Sequence, residues 1–359
     1  MAMKSRAALS LAVLLCGAPA AAVRAQEAAD VPFFQNLRRI EGAALRAAKT
    51  IPRAAPLRAV APARMVVIPL RLRTYDDGSG DIHVDCRFDG RPYSCLLDTG
   101  GGDRIIVPDN SFFRSYFSAG QGSFGSASGT ETPADIIRIS HLNVGGTSFG
   151  AADATRQSSL SCRTMSSPIL AGQSIPYRSA DYYFDGPAAL ILDGPAPAGS
   201  FFPLYMPDAH RHMVMPVEIG SDASRALFDT GASLTVVDTG YAAAHPKNFS
   251  YLGNTSTMDA SCRRLRAGIY RAHSVAVGGL VFHNFLAVSL DLSATRKIAD
   301  DGRVEMILGY NVISRADWYF DLSHQRWTVR QSAAPSVASS WRGAVPARPV
   351  ALGALPFGP

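Results

Sequence analysis

Cys95-Leu96-Leu97-Asp98-Thr99-Gly100-Gly101 returns later in the same chain as Ala226-Leu227-Phe228-Asp229-Thr230-Gly231-Ala232. In each copy an apolar run delivers an aspartate into a Thr-Gly turn. The tripeptide alone says little, and Asp238-Thr239-Gly240 is a third occurrence. What sets the first two apart is that their surroundings repeat as well. Upstream, Val84-Asp85-Cys86-Arg87-Phe88-Asp89-Gly90-Arg91-Pro92-Tyr93 answers Met215-Pro216-Val217-Glu218-Ile219-Gly220-Ser221-Asp222-Ala223-Ser224, two hairpin patterns turning on Gly, Pro, Asp and Ser. Downstream, Leu142-Asn143-Val144-Gly145-Gly146 answers Val275-Ala276-Val277-Gly278-Gly279. Ile169-Leu170-Ala171-Gly172, with Ala180-Asp181-Tyr182-Tyr183-Phe184-Asp185 after it, answers Ile307-Leu308-Gly309 with Ala316-Asp317-Trp318-Tyr319-Phe320-Asp321. The two aspartates lie 131 positions apart (229 − 98) and the Ala-Asp pairs 136 (317 − 181), so the landmarks recur in order at nearly constant spacing. That is an internal duplication. The third Asp-Thr-Gly has no partner in the first half, where Pro108-Asp109 stands, and reads as a strand-ending turn.

Two carboxylates brought together across a pseudo-twofold axis can share one proton, so that one acts as base toward water while the other donates to a substrate carbonyl. Asp98 and Asp229 are the candidates for that pair. Gly100 and Gly231 then stand where the turn backbone needs room or a positive φ, and Thr99 and Thr230 are placed to lock the turns together. The bland alternative is a pair of ordinary Asx turns.

These residues resemble the retropepsin and pepsin-like aspartic proteases. The resemblance covers residues 65–331 and rests on the two Asp-Thr-Gly turns and the Ile307-Leu308-Gly309 element. It implies an all-β, two-lobed fold in which each lobe gives one catalytic aspartate, each motif threonine bonds across to the other lobe's backbone, and a β-hairpin flap closes over a polypeptide substrate. It also implies peptide-bond hydrolysis without metal or other cofactor. Both halves lie on one chain, so a monomer with an intramolecular active site is expected.

Composition agrees. Gly 31 and Pro 23 punctuate many short apolar runs, such as 65–70, 136–139 and 316–320, and charged residues are only 18%. That is the texture of barrels or sandwiches rather than of alternating helix and strand. Residues 318–329 read as a closing hairpin around Leu322-Ser323-His324-Gln325. The expected organisation is a leader at 1–25, a basic helical prosegment or linker at 26–64, an N-terminal lobe at 65–198, a C-terminal lobe at 199–331 and an Ala/Pro-rich disordered tail at 332–359.

Lys4 and Arg6 precede an apolar, small-residue stretch, and Val23-Arg24-Ala25 offers a cleavage site before Gln26. An export signal, and hence a periplasmic or secreted location, is expected, with no membrane span once it is removed. The alternative, an anchor, needs a longer apolar run. Within 30–50, Phe33, Leu37, Ile40, Ala44 and Ala47 recur at helical spacing, as a prosegment or as a plain tether.

After the leader, Cys86, Cys95, Cys162 and Cys262 remain, an even number in an oxidising compartment. Cys86 and Cys95 flank Gly90-Arg91 symmetrically and should face each other across the first hairpin, a bridge worth roughly 2.5 to 3 kcal/mol. Cys162 and Cys262 are the pair left over. A zinc site is disfavoured by the lack of close cysteine spacing or a His cluster.

The net charge of +6 suggests nucleic acid until it is located. The ends hold the excess, and residues 65–331 carry 23 basic against 26 acidic side chains. The body is mildly acidic, and its local basic cluster, Arg263-Arg264-Arg266, reads as a solvated loop sooner than as a nucleic-acid footprint.

The flap is expected at 120–129, with Gly122, Ser123, Phe124 and Gly125 against the substrate, although the same glycines would suit a surface loop. Lobe one also departs from the family pattern. Gly101-Gly102-Asp103-Arg104 stands where lobe two has Ala232-Ser233-Leu234-Thr235, and Ala171 where it has Gly309. Counting from the aspartates, Arg104 matches Thr235, and an arginine beside Asp98 would favour its charged form. These departures keep a second expectation open: a catalytically weak, protease-shaped peptide-binding protein.

Overall fold

The computed structural model describes residues 65–332, without 103, 127–128, 158–166, 185, 207–211, 260–262, 297 and 299–303. The expected leader, the helix at 30–50, the C-terminal tail, Asp103, Cys162 and Cys262 therefore lie outside the described residues.

Three sheets account for the body. Arg71–Thr74, Gly80–Phe88, Arg91–Asp98, Ile169–Ala171, Ile105–Val107, Thr147–Gln157, Glu131–Val144 and Ser118–Gly125 form the first lobe in that spatial order. Val214–Ile219, Asp222–Phe228, Val304–Leu308, Thr235–Asp238, Leu280–Leu290, Arg264–Val277 and Phe249–Met258 form the second. Strand for strand, the second order repeats the first after its opening strand. In both lobes the catalytic-motif strand lies parallel to the later apolar strand, Leu96 beside Ile169 and Leu227 beside Ile307. The duplication read in the sequence is thus a duplication of topology.

A third, six-stranded sheet joins the lobes. Ser179–Tyr183 runs antiparallel to Ala316–Asp321, setting Tyr182 against Trp318 and Ala180 against Phe320. Tyr182, Trp318, Phe320 and Trp327 are fully buried there, and Phe228 packs on Tyr182, Trp318 and Phe320. Aromatic rings stacked at this seam fix the two lobes against one another. Arg330 pairs with Asp181 at 2.6 Å, and the Phe184 N–H donates to the Asp317 carboxylate at 2.6 Å, so the repeated Ala-Asp pairs are structural. The closing hairpin is as expected, with Asp321 opposite Arg326.

The first hairpin corrects one expectation. Asp89 and Gly90 both adopt positive φ, 45° and 86°, so the turn is the two-residue type whose twist matches the strands, with Phe88 opposite Arg91. Cys86 therefore faces Tyr93, and Cys95 faces Val84. The two cysteines are diagonal rather than direct neighbours, and they still form the disulfide, with Cα atoms 6.0 Å apart. It clamps the strand that ends in Asp98. Among the described residues, no helix is long and apolar enough to cross a membrane.

Candidate active site

Each Asp-Thr-Gly turn sits where its strand leaves the sheet. The Thr99 hydroxyl donates to the Phe228 carbonyl at 2.8 Å and accepts the Thr230 N–H at 3.0 Å. The Thr230 hydroxyl donates to the Leu97 carbonyl at 2.8 Å and accepts the Thr99 N–H at 3.0 Å. Both threonines are buried. Four reciprocal bonds in a buried seam hold the turns in fixed register, because breaking any one strands a buried polar group.

That grip brings the Asp98 and Asp229 carboxyls into hydrogen-bonding contact. Gly100 N–H donates to Asp229 Oδ1 at 3.2 Å, Gly231 N–H to the same oxygen at 2.8 Å, and Gly101 N–H to Asp98 Oδ1 at 2.8 Å. The glycines are needed for room and not for backbone twist: a Cβ on Gly231 would lie 2.5 Å from Asp98 Cγ, and one on Gly100 would collide with the Asp229 carboxyl. Each carboxyl nests against the opposite turn's glycine.

Both acids are pushed above the usual carboxylate range, first by burial. For Asp98 the charge of Asp229 and the bond to it push further, and its pKa lies well above the ordinary value. For Asp229 the hydrogen bond from Asp98 and the N–H groups of Gly231, Gly100 and Ala232 pull back. Two carboxyls in contact repel when both are charged, so burial and contact together favour a single proton held by the pair.

Asp238 has other work. It ends its strand, caps the helix Thr239–Ala244 by accepting the Tyr241 N–H at 3.0 Å, and pairs with Arg296 at 2.9 Å.

The ladders place Arg104 differently from a simple count. Ile106 pairs with Ile169 and Ile105 with Ala154, whereas Val236 pairs with Ile307 and Thr235 with Ala287. Ile105 is therefore the counterpart of Thr235, and Arg104 that of Leu234. From Asp98 to Ile106 is eight positions (106 − 98), and from Asp229 to Val236 seven (236 − 229). Lobe one's loop is longer by one residue. The extra length also explains Ala171. Gly309 has no space for a methyl, since a Cβ there would strike the backbone of Leu234. In lobe one the looser loop leaves room, and Ala171 Cβ rests beside Gly101.

The strands Ser118–Gly125 and Glu131–Val144 form the expected hairpin, pairing Gly122 with Ala134 and Phe124 with Thr132. Phe124, next to the hairpin's tip, is buried against Leu96, Ile106, Ala134 and Ile169, so its ring packs that end of the hairpin onto the lobe. Ser123 and Gly125 lie on the same strand. The second lobe supplies a matching hairpin, Phe249–Met258 with Arg264–Val277, and the two tips touch. Ser126 Oγ donates to Asp259 at 3.0 Å, and Arg263 donates to Thr130 Oγ1 at 3.2 Å. Only the first of these hairpins was expected as a flap; the internal repeat already contained the second.

One contributing histidine escaped the sequence reading. His212 Nε2 donates to the Gly100 carbonyl at 3.1 Å, buttressing the turn that presents Asp98. No motif surrounds it, so nothing in the sequence marked it out. Among the described residues, no group of three or more His, Cys, Asp or Glu side chains converges as a metal would need.

No curated protein matches the chain. Among solved structures, the aspartic proteinase from Irpex lacteus is similar, with 12% identity and a TM-score of 0.48 over 75% of this chain and 98% of that one. Residues 215–312, which contain Asp229 and its turn, match the family model described as aspartyl protease. That match falls on the second half of the duplicated chain and on the turn that presents Asp229.

Proposed function

We propose that the protein is an aspartic endopeptidase that hydrolyses peptide bonds of polypeptide substrates with water activated by Asp98 and Asp229, working in an exported compartment. The observation that carries this reading is the contact between the two carboxyls, with burial raising both pKa values and the charge of Asp229 raising that of Asp98 as well. Ionised Asp229 takes a proton from a water held between the carboxyls while Asp98 donates its proton to the scissile carbonyl oxygen. The resulting tetrahedral diol is neutral, so no oxyanion has to be stabilised. On its collapse Asp229 gives its proton to the leaving amine while Asp98 takes one from a diol hydroxyl, the C–N bond breaks as the carbonyl re-forms, and the pair's single proton is back on Asp98. The threonine grip keeps the carboxyl oxygens in the geometry this exchange requires.

The test is cleavage of an unstructured protein by the wild-type chain and by Asp98→Asn and Asp229→Asn. Each single variant should lose activity by about a thousandfold or more while remaining folded, because neither carboxyl alone can both donate and accept. Activity surviving in either variant overturns the shared-pair mechanism. Peptide binding without any turnover in the wild type would favour the protease-shaped binding protein instead.

A further inference from the structure

Arg104 is a cation placed where its twin is a hydrocarbon. Its counterpart Leu234 is buried with Leu227, Val236, Ala267 and Ile307. The corresponding set in lobe one is Leu96, Ile106, Ala134 and Ile169, joined by Phe124 from the hairpin. Leu96 and Asp98 alternate to the same face of their strand, as do Leu227 and Asp229. Both clusters therefore lie on the face of the sheet that presents the carboxyl pair, one on each side of the pseudo-twofold axis. Arg104 reaches beneath the first hairpin, where its Nη1 lies 3.2 Å from the position a Cβ on Gly122 would occupy. The missing side chain at Gly122 makes the space it fills.

The guanidinium has no match there. Its Nε is shielded from water and lacks a hydrogen-bond partner, and among the described residues no ion pair or hydrogen bond engages the group. Asp135, the acid on the facing hairpin strand, is held by Arg156 at 2.5 Å and by Gln121. The negative charge of Asp229 is met by backbone N–H groups. A half-buried arginine against apolar side chains costs stability unless an anion completes it, and its planar fork suits a carboxylate.

We propose that Arg104 is a specificity-determining residue that receives a carboxylate side chain, Asp or Glu, of the bound polypeptide, while the Leu234 side receives an apolar one. The two positions flank the carboxyl pair symmetrically, so the preferred cleavage site carries an acidic residue on one side of the scissile bond and an apolar residue at the equivalent position on the other. The inference rests on the endopeptidase reading above.

The test compares end-capped peptides that differ only in Glu against Gln at each position around one scissile bond, with the full chain as wild type, Arg104→Leu and Arg104→Lys. Capping removes terminal carboxylates, so only the side chain is read. At one position the wild type should prefer Glu by about tenfold to a hundredfold in kcat/KM. Arg104→Leu, which copies lobe two, should abolish that preference while cleaving the Gln peptide at least as well. Arg104→Lys should keep part of it. Equal cleavage of Glu and Gln peptides at every position by the wild type overturns the proposal and leaves the endopeptidase reading intact, as does an unchanged Glu preference in Arg104→Leu. If no peptide is cleaved, the endopeptidase reading fails, and fluorescence anisotropy with the same peptides decides on Arg104: tighter Glu binding lost in Arg104→Leu supports it, and equal binding refutes it. Should Arg104→Leu fold poorly by circular dichroism, Arg104→Gln replaces it under the same expectations.

Discussion

The two lobes agree atom for atom where the chemistry needs symmetry and part company one turn later. Thr99 and Thr230 make mirrored bonds at the same lengths, 2.8 and 3.0 Å. Within six residues of each aspartate the loops differ in length and an arginine replaces a leucine, and at the end of the neighbouring parallel strand Ala171 stands where lobe two has Gly309. A duplicated fold tolerates divergence only outside the shared seam, because each threonine serves the other lobe's backbone as well as its own.

This comparison breaks most readily at Gly309. Gly309→Ala should destabilise by about 4 kcal/mol or more, since the added methyl meets the Leu234 backbone, which cannot yield cheaply. The mirror change, Ala171→Gly, should cost only about 1 kcal/mol in urea titrations. Similar costs at both positions would refute the claim that lobe one's longer loop relaxed its constraint.

Thr99→Val and Thr230→Val should each cost about 2 to 4 kcal/mol, because each strands a buried N–H and a buried carbonyl across the seam. The two values should agree within about 1 kcal/mol, and a large inequality would show that the grip is not mutual.

A smaller effect concerns pH. A carboxyl whose folded pKa lies above its unfolded value of 3.8 binds its proton more tightly when folded. Stability is then lost as pH rises from about 4 through the raised value. Asp98→Asn removes that loss, so its melting temperature should exceed wild type by a few degrees at pH 7 and by little at pH 3, at about 2 to 4 °C per kcal/mol. Equal differences at both pH values would mean that Asp98 is not held protonated.

Much of this was legible beforehand because short-range chemistry repeats visibly: apolar strand, Asp-Thr-Gly, hairpin, Gly-Gly, Ala-Asp. The third Asp-Thr-Gly could be set aside for lack of a partner, and it caps a helix. The errors arose where a single residue changes register. Gly101-Gly102-Asp103 has no side-chain pattern to anchor an alignment, so only the pairing of Ile106 with Ile169 reveals that Arg104 replaces Leu234. The offset of Cys86 and Cys95 followed from a turn type set by two positive φ angles, and turn type fixes register. His212 and the contact between hairpin tips are long-range, with Ser126 meeting Asp259 across the duplication, and no local pattern encodes them.

The central claim is that Asp98 and Asp229 share one proton, and the pH dependence of kcat/KM for cleavage of an end-capped Gln peptide tests it most directly, since that substrate does not titrate. The expected profile is a bell whose acid limb reports the pair taking up a second proton and whose alkaline limb reports loss of the shared one, set higher than an ordinary carboxyl would allow. A profile with a single limb, or one flat across both ranges, would contradict it.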